Sequence, residues 1–303
     1  MKNTSRRTLL ASVAAVAAGL PTLNAVVGTG ATAAAAATDP ETNTGLYTRT
    51  ADKEGTDWMR RFRCGAPVQL TDNTRNTSLP VSSTAIIAPH GGGIEAGTSE
   101  LCLAVAGYKP FDVNTDPAAA AVAGVPQRDY WMFEALANSS AQHVTSTLCD
   151  DPAALAVCGS NLYAVSVHGF TPDDAPTAKQ ILIGGRDQRL MRNLAAAFAR
   201  HGLTGGHSDP ALNVTVILSG ANTALNGDDV ANIVNRTRTG AGAQLEISTK
   251  LREAMFGTFT GGAERRATCG VSSTTAPHAA HFWNAFVNAV REAVDEHERG
   301  LAR

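Results

Sequence analysis

Residues 84–95 read Thr84-Ala-Ile-Ile-Ala-Pro-His-Gly-Gly-Gly-Ile-Glu95, an apolar run that passes into a glycine-rich turn. The apolar run predicts a short buried strand over residues 84–89, which ends at a proline. Glycine adopts backbone conformations that other residues avoid, so the three glycines allow a sharp turn after His90. The side chains of His90 and Glu95 can therefore face one point beyond the end of this strand.

Other strands and helices alternate along the chain. The predicted elements are strands over residues 162–168, 212–218 and 244–248 and helices over residues 99–106, 188–200 and 279–298. This alternation predicts an α/β fold: a single domain with a mixed, mostly parallel central sheet flanked by helices. Ligands of such sheets bind beyond the carboxyl ends of the strands. His90 and His168 each end a predicted strand and Glu246 lies near the end of another, so we expect the three side chains at one edge.

Histidine nitrogen and carboxylate oxygen are zinc ligands, and a catalytic zinc site combines three protein ligands with water. His90 and Glu95 supply two such groups, and we predict His168 as the third. His143 is an alternative third ligand or a neighbour of the ligands. A glycine-rich anion site with His90 merely nearby would also explain the glycines. The sequence contains no Cys-x-x-Cys, which argues against a structural zinc site built on thiolates. The predicted cofactor is one Zn²⁺ ion.

Glu246 lies in an otherwise apolar predicted strand, residues 244–248. Burial of an unpaired carboxylate is costly, so its side chain points either to solvent at a sheet edge or into a functional crevice. In the crevice it could act as a general base, taking a proton from an attacking water and passing it to a leaving nitrogen. The predicted metal site then becomes a hydrolytic site.

Three motifs occur in order: Ala88-Pro-His-Gly-Gly-Gly-Ile-Glu95, Val165-Ser-Val-His-Gly169 and a third that combines residues 232–236 with residues 242–248. Together they resemble the poly-γ-glutamate hydrolase family, which includes phage-type depolymerases and is similar in fold to zinc carboxypeptidases. The resemblance runs from about residue 45 to residue 252. It implies one zinc ion on His90, Glu95 and His168, with Glu246 as the general base. It also implies cleavage of the γ-glutamyl amide bonds of poly-γ-glutamate.

Asn235 and Arg236 resemble the Asn-Arg pair with which carboxypeptidases hold a substrate carboxylate. A planar guanidinium suits this task because it binds a carboxylate through two parallel hydrogen bonds. Arg238 and Arg186 are alternatives. Every unit of poly-γ-glutamate carries a free α-carboxylate, so we expect a cationic subsite. The C-terminal stretch, residues 261–303, lies outside the motifs.

Residues 1–37 have the charged, apolar and small-residue order of an export signal. Arg6 and Arg7 ahead of the apolar stretch resemble a twin-arginine signal, which predicts a secreted protein. The apolar stretch is shorter than the roughly 20 residues of a spanning helix, so we expect no membrane association once it is removed. Residues 38–57 are predicted to be a flexible segment, and residues 58–303 the zinc hydrolase domain.

The chain of 303 residues carries 25 basic and 27 acidic side chains, a net charge of −2. Without Lys2, Arg6 and Arg7, 22 basic side chains stand against 27 acidic ones, a net charge of −5. A mildly acidic protein has no general attraction for nucleic acid, so we expect no nucleic-acid partner. The expected partner is poly-γ-glutamate or a related γ-glutamyl peptide, bound by a monomer.

Five cysteines occur in the sequence, and an odd number leaves at least one thiol unpaired. Cys149 and Cys158 flank a short predicted turn and helix and are the first candidates for a disulfide, since exported proteins retain such bonds.

Two rival functions follow from the same residues. One is a zinc amidase or carboxypeptidase that acts on γ-linked peptidoglycan peptides. The other is a non-catalytic polymer-binding protein on the same scaffold, for which a change at Glu246 would have no effect.

Overall fold

The structure is a computed structural model that describes residues 41–49, 51–65, 83–110, 120–137, 141–220 and 225–300. The predicted export signal lies outside these residues, as does part of the predicted flexible segment. Within the described ranges, no helix combines the length and the apolar composition that a membrane span requires.

A mixed sheet of seven strands runs through the described part of the chain. The strands are β1 (Trp58–Arg63), β2 (Thr84–Gly92), β3 (Tyr130–Ala135), β4 (Tyr163–Phe170), β5 (Gln180–Gly185), β6 (Thr215–Leu218) and β7 (Ala243–Ser248). Their order is β1-β3-β2-β4-β7-β5-β6. Strands β3, β2, β4 and β7 are parallel, while β1 and β5 pair antiparallel with β3 and β7, and β6 is parallel to β5. The predicted mixed, mostly parallel sheet is confirmed.

Helices cover both faces of this sheet. Those in the described ranges are α1 (Asn43–Tyr47), α2 (Thr98–Val105), α3 (Pro152–Ser160), α4 (Gln188–Arg200), α5 (Thr249–Glu253), α6 (Gly262–Ala267) and α7 (Ala279–Arg299). Ile86 of β2 belongs to the apolar core that also contains residues of α2, α4 and α7. Ile87, the next residue, belongs to a second core with residues of α1 and α3. Successive side chains of a strand point to opposite faces, so a continuous apolar strand fits a sheet covered on both sides.

Strand β2 is longer than the sequence predicts. It continues past Pro89 to Gly92 and so includes His90. Proline has no N–H to donate, and the pairing of β2 with β3 is irregular between Ala88 and Gly91. The ladder resumes at Gly91, which pairs with Glu134. Proline therefore interrupts the ladder without ending the strand, because β3 holds the chain on its far side.

The prediction of low order over residues 38–57 is wrong for residues 43–47. These residues form α1, in which Leu46 is fully buried. The ring of Tyr47 stacks on Trp58 at a centroid distance of 4.6 Å. Its polar composition concealed this segment, which is also fastened by hydrogen bonds from Thr44 to Asp150 and from Tyr47 to Asp151.

The structure describes all five cysteines, and each of them is free. The predicted disulfide between Cys149 and Cys158 is not formed. Both side chains are buried in the second apolar core. Burial raises the pKa of the Cys149 thiol and raises that of Cys158 to about 12. These thiols serve as small apolar side chains.

The contact between α4 and α7 predicts a large stability effect at Phe286. Its ring is fully buried and stacks on Phe198 at 5.5 Å. We expect Phe286→Ala to lower the free energy of unfolding by about 3–5 kcal/mol, since it leaves a cavity. Urea unfolding measures the change. Asn288→Ala, an exposed position on the same helix, should change it by less than about 0.5 kcal/mol. Equal losses in both variants would contradict this account of the core.

Candidate metal centre

The ring of His90 is buried at the carboxyl end of β2 and held from both sides. Its Nε2 lies 2.8 Å from the backbone oxygen of Val144, and its Nδ1 lies 2.8 Å from Oε1 of Glu95. A carbonyl oxygen can only accept, so Nε2 carries the proton and donates it. The lone pair of Nδ1 then faces the carboxylate of Glu95.

His168 approaches the same point from β4. Its Nδ1 lies 3.1 Å from Nδ1 of His90 and 3.5 Å from Oε2 of Glu95. Its Nε2 pairs with the hydroxyl of Ser146 at 3.3 Å. Burial opposes protonation of His168, but Glu95 outweighs burial and raises its pKa above the ordinary value.

The glycine-rich turn brings Glu95 back to His90. The backbone N–H of Glu95 donates to the oxygen of His90 at 2.8 Å, which closes the turn. Gly92 has φ +66°, and a Cβ at this position would lie 2.1 Å from the backbone oxygen of Ala135. The turn therefore requires glycine here. Oε2 of Glu95 accepts the N–H of Gly169 at 2.7 Å, next to His168.

Two imidazole nitrogens and a carboxylate thus point at one another. Burial opposes ionisation of Glu95, but the imidazoles of His90 and His168 outweigh it and hold the pKa of Glu95 well below its usual range. Lone pairs at these separations repel unless a proton or a metal cation lies between them. Zinc accepts this combination of nitrogen and oxygen ligands, so the donor set fits a metal ion.

His143 is a second candidate for the third ligand. Its ring lies 4.0 Å from that of His90, and ligand atoms of His90, Glu95 and His143 all lie within 4.8 Å of one another. Its side chain is exposed, whereas His168 is buried and pairs with Ser146. The nearby His90 lowers the pKa of His143 to about 4. We favour His168 as the third ligand, because its ring is held in place on both sides.

Glu246 lies beside this cluster on the neighbouring strand. It pairs in register with His168 across the parallel strands β4 and β7, so the two side chains leave the same face of the sheet. Burial raises the pKa of Glu246 to about 7, and the opposing effect of His168 is smaller. A carboxyl group with this pKa can accept and release a proton at neutral pH.

The predicted carboxylate-binding residues do not share one environment. Both N–H groups of the buried Asn235 amide donate to backbone oxygens, those of Gly227 and Asp229, at 2.8 Å. Its Oδ1 accepts the N–H of Gly242 at 3.1 Å. Asn235 therefore holds its own loop together. Arg236 is exposed beside the end of α3, where its backbone oxygen would lie 3.9 Å from a Cβ on Gly159.

Arg238 and Arg186, the alternative candidates for carboxylate binding, lie toward the opposite end of the strands from His168 and Glu246. The N–H of Arg238 donates to the oxygen of Asn161, seven residues before His168 and roughly 23 Å away along an extended chain. The N–H of Arg186 donates to the oxygen of Gly242, just before β7 begins. Spacing in sequence does not show at which end of a strand a flanking loop lies.

The sequence gives no sign of the buried cation Arg252, which lies next to Glu95 and Glu246. Its Nε donates to the oxygen of Ile247 at 3.1 Å, its Nη2 to Thr249 Oγ1 at 3.1 Å, and its Nη1 to the oxygen of Ala96. A Cβ on Gly169 would lie 2.4 Å from the guanidinium carbon. Arg252 thus ties the end of β7 to the turn after Glu95. No spacing signal marks it.

The sheet and the cluster at its carboxyl edge define an α/β protein with a candidate metal centre. A model of the family described as poly-gamma-glutamate hydrolase matches residues 69–114 and 110–276. The chain belongs to this family. The match extends past residue 252, where the sequence motifs end, and includes part of the C-terminal stretch.

Two similar proteins were found, one of them by both its sequence and its structure. The UPF0714 protein YndL of Bacillus subtilis (strain 168) is 31% identical over 189 residues, which cover 62% of this chain and 60% of YndL. The match therefore spans less than two thirds of YndL. The structure of a bacteriophage poly-gamma-glutamate hydrolase aligns with a TM-score of 0.57 and 25% identity, over 85% of this chain and 96% of that one. The structure of zinc-free YndL aligns with a TM-score of 0.55 and 22% identity, over 83% of this chain and 98% of that one. At this identity the alignment shows only that the two proteins share a fold.

The two candidate ligand sets predict different metal contents. We expect His90→Ala and His168→Ala to lose bound zinc, because each removes one of three ligands, and His143→Ala to keep it. Elemental analysis of zinc-loaded, desalted protein measures the stoichiometry. His278→Ala, on the remote start of α7, is the control and should keep one equivalent. Loss of zinc from the His90 and His143 variants, with zinc retained in the His168 variant, would instead assign the third ligand to His143.

Proposed function

We propose that this protein is a secreted, zinc-dependent hydrolase that cleaves the γ-glutamyl amide bonds of poly-γ-glutamate. One observation carries the proposal: His90, Glu95 and His168 converge on a point beside Glu246 at the carboxyl edge of the sheet. Membership of the poly-gamma-glutamate hydrolase family supports the bond and the substrate. The predicted export signal supports secretion.

Three side chains would hold the metal ion: His90, Glu95 and His168. The Val144 carbonyl and the Ser146 hydroxyl fix the two rings through their other nitrogens, as outer partners of metal ligands commonly do. When bound, zinc would supply Lewis-acid activation of the attacking water and of the amide carbonyl. The solved form of YndL is described as zinc-free, which makes zinc the first metal to test.

Glu246 would act as the general base. Its carboxylate takes the proton of the attacking water and returns it to the leaving amine, so one group serves both halves of the reaction. Burial suits this role because it disfavours the charged form and brings the pKa to about 7. Oε1 accepts a hydrogen bond from Gln244 at 2.8 Å, and Oε2 receives none from any residue that the structure describes.

The substrate is anionic, and the bacteriophage relative is itself a poly-gamma-glutamate hydrolase. We do not assign the α-carboxylates to Asn235, since its amide is bonded within its own loop. Arg186 and Arg238 are also left out, because they lie away from the metal centre.

Glu246→Gln tests the chemistry. The change keeps size and removes basicity, so we expect zinc to be retained and kcat on poly-γ-glutamate to fall by about 10²–10⁴-fold. Polymer length after incubation, measured by size-exclusion chromatography, reports cleavage, with a chelated sample as blank. Glu264→Gln, exposed on α6, is the matched control and should leave kcat unchanged.

Other results would select other functions. Full activity of the Glu246 variant would remove this residue from the mechanism. Cleavage of γ-linked peptidoglycan peptides with no cleavage of the polymer would favour the rival amidase. Binding of the polymer by the zinc-loaded protein without any shortening would favour a binding protein.

A further inference from the structure

We infer that Gln244 is a positioning residue for Glu246 and that Asn232 acts through Gln244, in a buried chain of side-chain amides. This inference rests on the proposed function, in which Glu246 is the base. Gln244 and Glu246 are two residues apart on β7, so both side chains leave the same face of the sheet.

The hydrogen bonds that link Asn232, Gln244 and Glu246 all run in one direction. The N–H of Val234 donates to Oδ1 of Asn232 at 3.1 Å. Nδ2 of Asn232 donates to Oε1 of Gln244 at 2.9 Å, and Nε2 of Gln244 donates to Oε1 of Glu246 at 2.8 Å. A backbone N–H can only donate, so it sets the orientation of the first amide, and each amide then sets the next.

All three side chains are buried: Asn232 is 5% exposed, Gln244 5% and Glu246 4%. A buried amide is costly unless it is hydrogen-bonded, so each link depends on the others. Nε2 of Gln244 also faces the backbone oxygen of Leu225 at 3.4 Å, which accounts for its second N–H.

The loop that precedes β7 packs against these hydrogen-bonded side chains. Gly227 has φ +63°, and a Cβ there would lie 2.8 Å from Oε1 of Gln244. The same loop is fastened by Asn235, whose amide donates to the oxygens of Gly227 and Asp229. Asn235 therefore supports Gln244 indirectly, because it holds the loop that packs against the Gln244 side chain.

The chemical consequence concerns the two oxygens of Glu246. Gln244 occupies Oε1 with a donor, which fixes the plane of the carboxylate and leaves Oε2 to exchange the proton. Without the donor, the buried carboxylate can rotate away from the position in which it meets the attacking water. Such misplacement lowers kcat more than it changes substrate binding.

Two variants test this series of hydrogen bonds. Gln244→Met has a similar shape and no donor. Asn232→Asp still caps Val234 but cannot donate to Gln244. We expect each to lower kcat on poly-γ-glutamate by about ten-fold or more, with KM within about two-fold and zinc content unchanged, because only the base is displaced. Gln188→Met, at the exposed start of α4, is the control and should match the unmodified protein.

The double variant shows whether Asn232 and Gln244 act in series or independently. If Asn232 acts through Gln244, Gln244→Met with Asn232→Asp has the kcat of Gln244→Met alone. Multiplied losses would overturn the assignment of Asn232. In a Glu246→Gln background, Gln244→Met should cause no further loss.

A crystal structure of each zinc-loaded variant gives a readout that does not depend on turnover. We expect the Glu246 carboxylate to be rotated or spread over several orientations in both. An unchanged carboxylate together with unchanged kcat overturns the inference while the proposed function stands. Failure of the unmodified protein to cleave the polymer overturns the function instead. Asn232→Asp carries the test if Gln244→Met does not fold.

Discussion

The meeting of His90, His168 and Glu95 is the interaction on which the functional edge of this protein depends. Two imidazole nitrogens lie 3.1 Å apart with a carboxylate beside both. Such a group of lone pairs requires a positive charge among them. The protein secures each member from behind, through the Val144 carbonyl, the Ser146 hydroxyl and the Gly169 N–H. These three partners hold the side chains of His90, His168 and Glu95 in place.

The surrounding backbone is shaped to keep these groups close. Glycine is required at Gly92, where the turn passes the oxygen of Ala135, and Gly169 leaves room for the guanidinium of Arg252. Arg252 joins the turn after Glu95 to the end of β7. A buried cation thus fastens together the elements that carry the candidate ligands and Glu246.

Glu246 is held by a polar group, the amide of Gln244. Burial alone favours the neutral form of Glu246, and the donor from Gln244 favours its charged form. The balance keeps the carboxyl able to change its charge near neutrality. The candidate ligands and Glu246 therefore meet as two separately supported groups, one held by two backbone groups and the Ser146 hydroxyl and the other by the amides of Gln244 and Asn232.

The sequence by itself determined the sheet class, the ends of β2, β4 and β7 as the location of the site, and the candidate residues His90, Glu95, His168 and Glu246. These features follow from local pattern: apolar runs, glycines after a histidine, and a carboxylate in a strand. Only the tertiary structure decided where His143, Arg186, Arg238, Asn235 and Arg252 lie and which groups they contact. Their positions depend on which strand ends adjoin and on how loops pack, and these contacts between distant residues leave no local signal. The same reason explains the free cysteines and the continuation of β2 past Pro89, where a neighbouring strand overrides the local preference.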